Sequence, residues 1–421
     1  MRAFKAWRTT SFDERQQSLR SVAEILRRNK RPNAEIMARE MGKPIRDGVS
    51  EAEKCAWACD YYAENAAKFL ADEEVSTDAK RSFVRYEPLG PILAVMPWNF
   101  PFWQVFRFAA PAIMAGNVGL LKHASNVPRS ALTIQGIFEE AGLPKGVFQT
   151  LLIGSGAVES LIRDPRIRAA TVTGSERAGA SVAEVAGAEI KKTVLELGGS
   201  DPFIVLQDAN VERAADVAAE ARCINSGQSC IAAKRFIVAR EVYAEFLEGF
   251  RRAMDRRRVG NPLDETTEIG PLAREDLRAD LHKQVKRSLE KGARIELGGN
   301  PLPGPGFYYA PTILSHVRSG MPAYDEEVFG PVAAVVRVAN EHEAVKVAND
   351  SPYGLGASIW TEDLEHGLLL AQEIEAGSVF INRLVKSDPR LPFGGTKRSG
   401  FGRELGSWGI REFTNVKTVV A

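Results

Sequence analysis

Cysteine is scarce in this chain, with four residues among 421. So few in so long a chain argue against a disulfide framework, and a reducing cytoplasm is the expected compartment. Histidine is scarcer in pattern than in number. The five residues, His123, His282, His316, His342 and His366, are scattered. Cys55 and Cys59 stand four apart, on one face of a helix, but have no second ligand pair, so no metal site is expected. There is no excess charge: 55 Lys and Arg stand against 54 Asp and Glu. That balance excludes a polyanion as the obvious partner, whether nucleic acid or an anionic membrane. No apolar run is long enough to cross a bilayer. The N-terminus, Met1-Arg2-Ala3-Phe4-Lys5-Ala6-Trp7, lacks the apolar core of a signal peptide. There is no low-complexity tract and no internal repeat.

What is present is an ordinary apolar content of 44%, enough for two or more domains. From Ser11 to Leu70 apolar residues recur at helical spacing with charges on the opposite face. Ser82-Phe83-Val84-Arg85-Tyr86 alternates as an exposed strand does. A strand–helix rhythm then begins. Ile92–Met96, Val118–Lys122, Phe148–Ile153 and Ala169–Thr173 read as strands, and Ser130–Ala141 as an amphipathic helix. Pro202–Val205, Arg235–Val238, Val332–Val338 and Ser378–Ile381 continue the rhythm. The expected class is α/β, with a parallel, doubly wound sheet. The tail, Lys417-Thr418-Val419-Val420-Ala421, is β-prone and should pair with another strand, either here or in another subunit.

Three groups of residues carry possible chemistry. Cys230, in Asn225-Ser226-Gly227-Gln228-Ser229-Cys230, supplies a sulfur nucleophile, and Glu196 a carboxylate that could activate water against a thioester. Asn99, between Pro97 and Pro101, could point its amide at an oxyanion. Gly154-Ser155-Gly156 and Gly174-Ser175 follow successive strands, where backbone N–H groups meet the phosphates of a nucleotide. Each also has a structural reading: a buried small hydrophobe, a rigid turn, or a simple glycine turn.

Together these segments resemble the NAD(P)-dependent aldehyde dehydrogenase family. The resemblance is carried by Pro97-Trp98-Asn99-Phe100, Lys122, Thr173-Gly174-Ser175, Glu196-Leu197-Gly198-Gly199, Gly227-Gln228-Ser229-Cys230, Glu327-Val328-Phe329-Gly330-Pro331 and Pro392-Phe393-Gly394-Gly395, in family order across nearly the whole chain. It implies a Rossmann-type cofactor domain (1–71 and 89–198), an α/β catalytic domain (199–398) and a small oligomerisation β unit (72–88 and 399–421). It also implies that Cys230 attacks the aldehyde, that Asn99 and the Cys230 N–H hold the oxyanion, and that Glu196 activates water. Trp98, Lys122, Ser125, Gly154, Gly174, Ser175, Leu197, Glu327 and Phe329 would bind the cofactor. A homodimer or homotetramer is implied, with a small aldehyde as partner.

NAD-preferring members often carry a carboxylate three positions after the lysine. Here Ser125 follows Lys122 at that spacing, so NADP is expected, with NAD possible. Lys122-His123-Ala124-Ser125 and Ser387-Asp388-Pro389-Arg390 most resemble the bacterial succinate-semialdehyde dehydrogenase branch. That resemblance implies a carboxylate clamp from Arg107 and Ser387, with Arg390 as a second cation. Trp103 and Phe106 would wall the tunnel. Two departures stand out: Ile224 occupies a position that is arginine in some members, and Ala232 replaces a second cysteine, so no redox disulfide is expected. Family members usually carry a further N-terminal segment, whereas this chain opens in its first helix, through a shorter natural start or a truncated gene model.

Overall fold

The computed structural model describes residues 1–421. Its first layer is helical. Ser11 opens the helix Phe12–Arg28 with a reciprocal capping box to Glu14, which satisfies donors that a helix start leaves free. This helix and Lys30–Met41 both pack on the long helix Ile45–Phe69. The buried faces of all three join one core with the strands that follow.

A six-stranded sheet comes next, in the order Gly400–Phe401, Lys192–Glu196, Ala169–Thr173, Pro91–Met96, Val118–His123, Phe148–Thr150. All neighbours are parallel except Gly400–Phe401. The chain winds one way from Pro91–Met96 and returns on the other side through Ala169–Thr173. Such a reversal leaves a crevice at the carboxyl ends of the strands. The segments after Met96 and Thr173 open there.

A second, seven-stranded sheet runs Arg294–Leu297, Thr312–Ser315, Val332–Val338, Arg235–Ala239, Pro202–Val205, Gly356–Trp360, Ser378–Ile381. Only Arg294–Leu297 is antiparallel to its neighbour. Two apolar clusters cover the sheet's faces, as expected when helices flank parallel strands. The third sheet is small and antiparallel: Glu73–Glu74, Ser82–Pro88 and Thr414–Val420.

Several expectations change in detail. The strand at Phe148 ends at Thr150, because it lies at the sheet edge and Leu152 turns 63% exposed into solvent. The tail pairs within its own chain, Val416 opposite Tyr86. Gly400–Phe401 joins the first sheet, and the helix Gly406–Glu412 packs on the first helical layer. No helix is long and apolar enough to cross a membrane.

Candidate active site

The nucleophile's position begins with the backbone before it. The helix Val211–Cys223 stops at Ile224, and Asn225, Ser226 and Gly227 all take positive φ, at 51°, 59° and 75°. Non-glycine residues rarely adopt this conformation, and holding two in succession costs of order 1–3 kcal/mol each. Local contacts hold them there. The Asn225 amide donates to Asn99 O at 2.7 Å and Gln228 O at 3.1 Å, and Ser226 Oγ accepts from Gly270 N at 2.8 Å. A side chain at Gly227 would lie 2.2 Å from the Gly330 carbonyl carbon, so only glycine fits.

Cys230 emerges from this turn between two cavities. One, of about 300 Å³, is lined by Lys54, Phe100, Trp103, Arg107, Ser387 and Phe393, among others. The second, of about 200 Å³, is lined by Trp98, Gly174, Ser175, Leu197, Glu327 and Phe329. Only Cys230 and Gln104 border both. The Cys230 N–H donates to nothing in the protein. Asn99 is buried, and its Nδ2 donates to Gln228 O at 3.1 Å, which leaves its second N–H free. Two unengaged donors beside a thiol are the parts an oxyanion site requires. Burial pushes the thiol up to about 12, against the pull of Lys234 and Arg107.

The loop carrying Asn99 is tied to the neighbouring strand by His123. Its Nδ1 accepts from Ala124 N–H at 3.0 Å, and its Nε2 lies 2.9 Å from Pro101 O. Burial pushes its pKa down to about 4, so it holds the loop as a neutral ring.

Glu196 ends the strand Lys192–Glu196 and is 2% exposed. It borders neither cavity. Both carboxylate oxygens lack a hydrogen-bond partner. Burial raises its pKa well above the usual carboxylate range, opposed by Arg107 and reinforced by Glu404. A side chain at Gly394 would lie 2.6 Å from Oε1, so glycine there makes the room Glu196 occupies.

The residues expected at the cofactor separate into two groups. Trp98, Gly174, Ser175, Leu197, Glu327 and Phe329 share the smaller cavity, and the Trp98 and Phe329 rings meet edge to face at 5.8 Å. Glu327 accepts from Gly199 N at 3.1 Å and lies 3.5 Å from Lys234 Nζ. Lys122, Ser125 and Gly154 lie outside that cavity, at or beyond the carboxyl ends of the next two strands. Lys122 has no ion-pair or hydrogen-bond partner, and side chains at Gly154 and Gly156 would meet nothing within 4 Å. An unpaired cation, an open glycine cradle and the Ser175 N-cap of the helix Glu176–Ala188 suit the phosphates and ribose of a dinucleotide.

Arg107 borders the larger cavity but is not a free cation. Its guanidinium forms a buried ion pair with Glu404, lies 3.3 Å from Thr173 Oγ1 and covers the Phe393 ring at 4.6 Å. Phe106 does not wall the tunnel. It is fully buried and stacks on Phe138 at 5.3 Å, because it falls on the core face of the helix Trp103–Met114. Arg390 is drawn off by Asp388 at 2.7 Å and borders neither cavity. Cys223 is buried, with its sulfur 3.6 Å from that of Met254. Gln104, His123, Lys234, Glu404 and Lys54 are site residues that sequence reasoning missed.

The aldehyde dehydrogenase family model matches residues 1–419. The chain belongs to the aldehyde dehydrogenase family. As an aldehyde dehydrogenase it is an NAD(P)-dependent oxidoreductase acting on small aldehydes. It is 57% identical over 416 residues to a probable succinate-semialdehyde dehydrogenase [NADP(+)] of Synechocystis, covering 99% of this chain and 92% of the relative. It is 51% identical to the succinate-semialdehyde dehydrogenase [NADP(+)] of Mycobacterium avium, covering 98% of this chain and 88% of that one. The crystal structure of succinic semialdehyde dehydrogenase from Streptococcus pyogenes in complex with NADP+ superposes with a TM-score of 0.98 at 41% identity, over 100% of this chain and 93% of that one.

Proposed function

We propose that this aldehyde dehydrogenase oxidises succinic semialdehyde to succinate with NADP, through a thioester on Cys230. The observation that carries this reading is the place of Cys230, between the cavity lined by Lys54, Arg107 and Ser387 and the one lined by Trp98, Gly174, Ser175, Glu327 and Phe329. The aldehyde enters the larger cavity, the Cys230 thiol gives up its proton to water, and the thiolate adds to the carbonyl carbon. The Cys230 N–H and the free Asn99 amide N–H hold the oxyanion of the thiohemiacetal. NADP would supply the hydride acceptor; Trp98 and Phe329 would hold its nicotinamide end, and Glu327, Gly174, Ser175 and Leu197 would line its path. Lys122 and Ser125 would hold the adenosine ribose and its phosphate, and Gly154 would border that end. Loss of hydride leaves a thioester. Glu196 then turns from its buried niche toward Cys230 and takes a proton from water; the resulting hydroxide adds to the thioester carbonyl, and the C–S bond breaks to give succinate and the Cys230 thiolate. Burial that raises its pKa suits it to that task. Ser387 and Arg107 face the distal carboxylate side of the cavity.

We retain the division into 1–71 and 89–198 for the cofactor, 199–398 for catalysis, and 72–88 and 399–421 for assembly, although Gly400–Phe401 and the helix Gly406–Glu412 of the last segment pack on the cofactor unit. The strand Thr414–Val420 has one free edge, with Val416 and Val420 exposed. We place a homodimer contact there, within a dimer or tetramer of a cytoplasmic enzyme.

The test is NADPH and NADH formation from succinic semialdehyde, glutaric semialdehyde, butanal and benzaldehyde. The reading expects NADPH and a strong preference for succinic semialdehyde. Equal turnover of all four would remove the substrate from the reading.

A further inference from the structure

Lys54 is a half-buried cation for which the mechanism so far has no use. It lies on the helix Ile45–Phe69 and borders the same cavity as Cys230. No carboxylate lies within ion-pair distance of it. Its Nζ donates to Ser387 Oγ at 2.7 Å and sits 4.4 Å from the Trp103 ring centre. The other basic groups around the cavity are differently placed. Arg107 is paired with Glu404. Arg46 and Arg257 both lie against Glu268, at 3.7 and 3.1 Å. Lys386 is exposed. Glu51, three residues before Lys54, is engaged with Lys43 and with the N–H groups of Phe102 and Trp103, both at 2.9 Å. An ammonium drawn partly out of water without a counter-ion is costly, and a ligand carboxylate would offset that cost.

We propose that Lys54, together with the Ser387 hydroxyl, is the specificity-determining pair that receives the distal carboxylate of the substrate. The proposal rests on the reading of succinic semialdehyde as that substrate and names the residue that selects it. The donor arrangement supports it. An ammonium has three N–H groups and Ser387 accepts from one, so at least one remains for a ligand. Because Ser387 accepts that bond, its own O–H is free to donate, and both groups can bind one carboxylate. Trp103 closes the apolar side. Arg107, already neutralised, acts on the electrostatics of Glu404 and Glu196 rather than as the main anion receptor.

The charge of Lys54 is itself sensitive to pH. Burial pushes its pKa down to about 8, with Arg107 and Lys386 acting in the same direction and Cys55 and Glu51 against it. In the free enzyme the ammonium is therefore present below about pH 8 and is lost as pH rises through that value.

The experiment compares kcat/KM for succinic semialdehyde with that for butanal, at saturating NADP, in the wild type, Lys54→Met and Lys54→Arg. Lys54→Met should lower the ratio by about 30-fold, chiefly through KM, the loss expected for one charge-assisted hydrogen bond. Lys54→Arg should recover most of it. The wild-type ratio should fall above about pH 8, while that of Lys54→Arg stays level, since a guanidinium does not titrate there. Unchanged NADP binding by Lys54→Met shows that the variant is folded. A high wild-type ratio that survives Lys54→Met, or a variant that loses both substrates equally, overturns the proposal and leaves the substrate standing. A wild-type ratio near one overturns the substrate reading and the proposal with it.

Discussion

The ammonium of Lys234 is fixed against the backbone of the nucleophile, donating to Cys230 O at 2.6 Å and to Ser229 O at 2.9 Å. It is fully buried and lies 3.5 Å from Glu327. One side chain thus joins the turn that carries the thiol to an acid of the cofactor cleft. Asp201 depends on it too: burial raises that carboxyl to about 7, and Lys234 is the largest influence opposing the rise. Lys234→Met would leave Glu327 without its cation, remove the main opposition to the raised Asp201 carboxyl and free the Cys230 carbonyl. Loss of one partner from a buried pair costs about 3–5 kcal/mol. Thermal unfolding should show a much lower Tm, and an unchanged Tm would contradict this role.

The thiol of the free enzyme should react slowly at neutral pH. Its pKa is pushed up to about 12, and only the thiolate is the nucleophile. Below that pKa the thiolate fraction rises about tenfold per pH unit. Alkylation of Cys230 by iodoacetamide, followed by loss of activity, should therefore keep accelerating from about pH 6 to pH 9. A plateau near neutrality would show that the thiol is already ionised.

Cofactor choice is expected to turn on Ser125, an exposed neutral residue three positions from the unpaired Lys122. A carboxylate there repels a 2′-phosphate and accepts from ribose hydroxyls. Ser125→Glu should lower the ratio of NADP to NAD in kcat/KM by about tenfold or more, equivalent to about 1.4 kcal/mol. Steady-state kinetics with both cofactors measures this; an unchanged ratio would place the selection elsewhere.

The turn before Cys230 should tolerate no side chain at Gly227. Its φ is 75°, and an added Cβ would meet the Gly330 carbonyl carbon at 2.2 Å. Backbone, unlike a flexible side chain, cannot yield. Gly227→Ala should destabilise by at least about 2 kcal/mol and slow acylation by displacing Cys230. Denaturant unfolding and single-turnover NADPH formation read the two effects separately.

Much of this was legible in the residues themselves. Ile92–Met96 is an unbroken apolar run and Ala169–Thr173 a short run of small and β-branched residues, and both are parallel strands flanked on each side whose ends open on the site. Lys192–Glu196 escaped the same reading because its first residues, Lys192 and Thr193, are polar and only its last three are buried. Gly356–Trp360 escaped because a strand opening on glycine resembles a loop. At the site, contiguous motifs named Cys230, Asn99 and Glu196. Lys54 follows Glu51 and Glu53 in a charged helix and reads as a solvated face. Glu404, beside Arg403, reads as a surface acid. Only folding brings Lys54 to Ser387 and Glu404 to Arg107, across 333 positions in the first case. Arg107 shows the converse: the sequence offers a cation, and the fold supplies its counter-ion.

The covalent intermediate on Cys230 is the centre of the account, and Glu196→Gln allows it to be seen directly. A general base contributes about 10²–10⁴-fold, so this variant should form NADPH once from succinic semialdehyde and then stall. Acid quenching followed by peptide mass spectrometry should find one succinyl group on the peptide that carries Cys230. NADPH released with no acyl group on Cys230 would contradict the account.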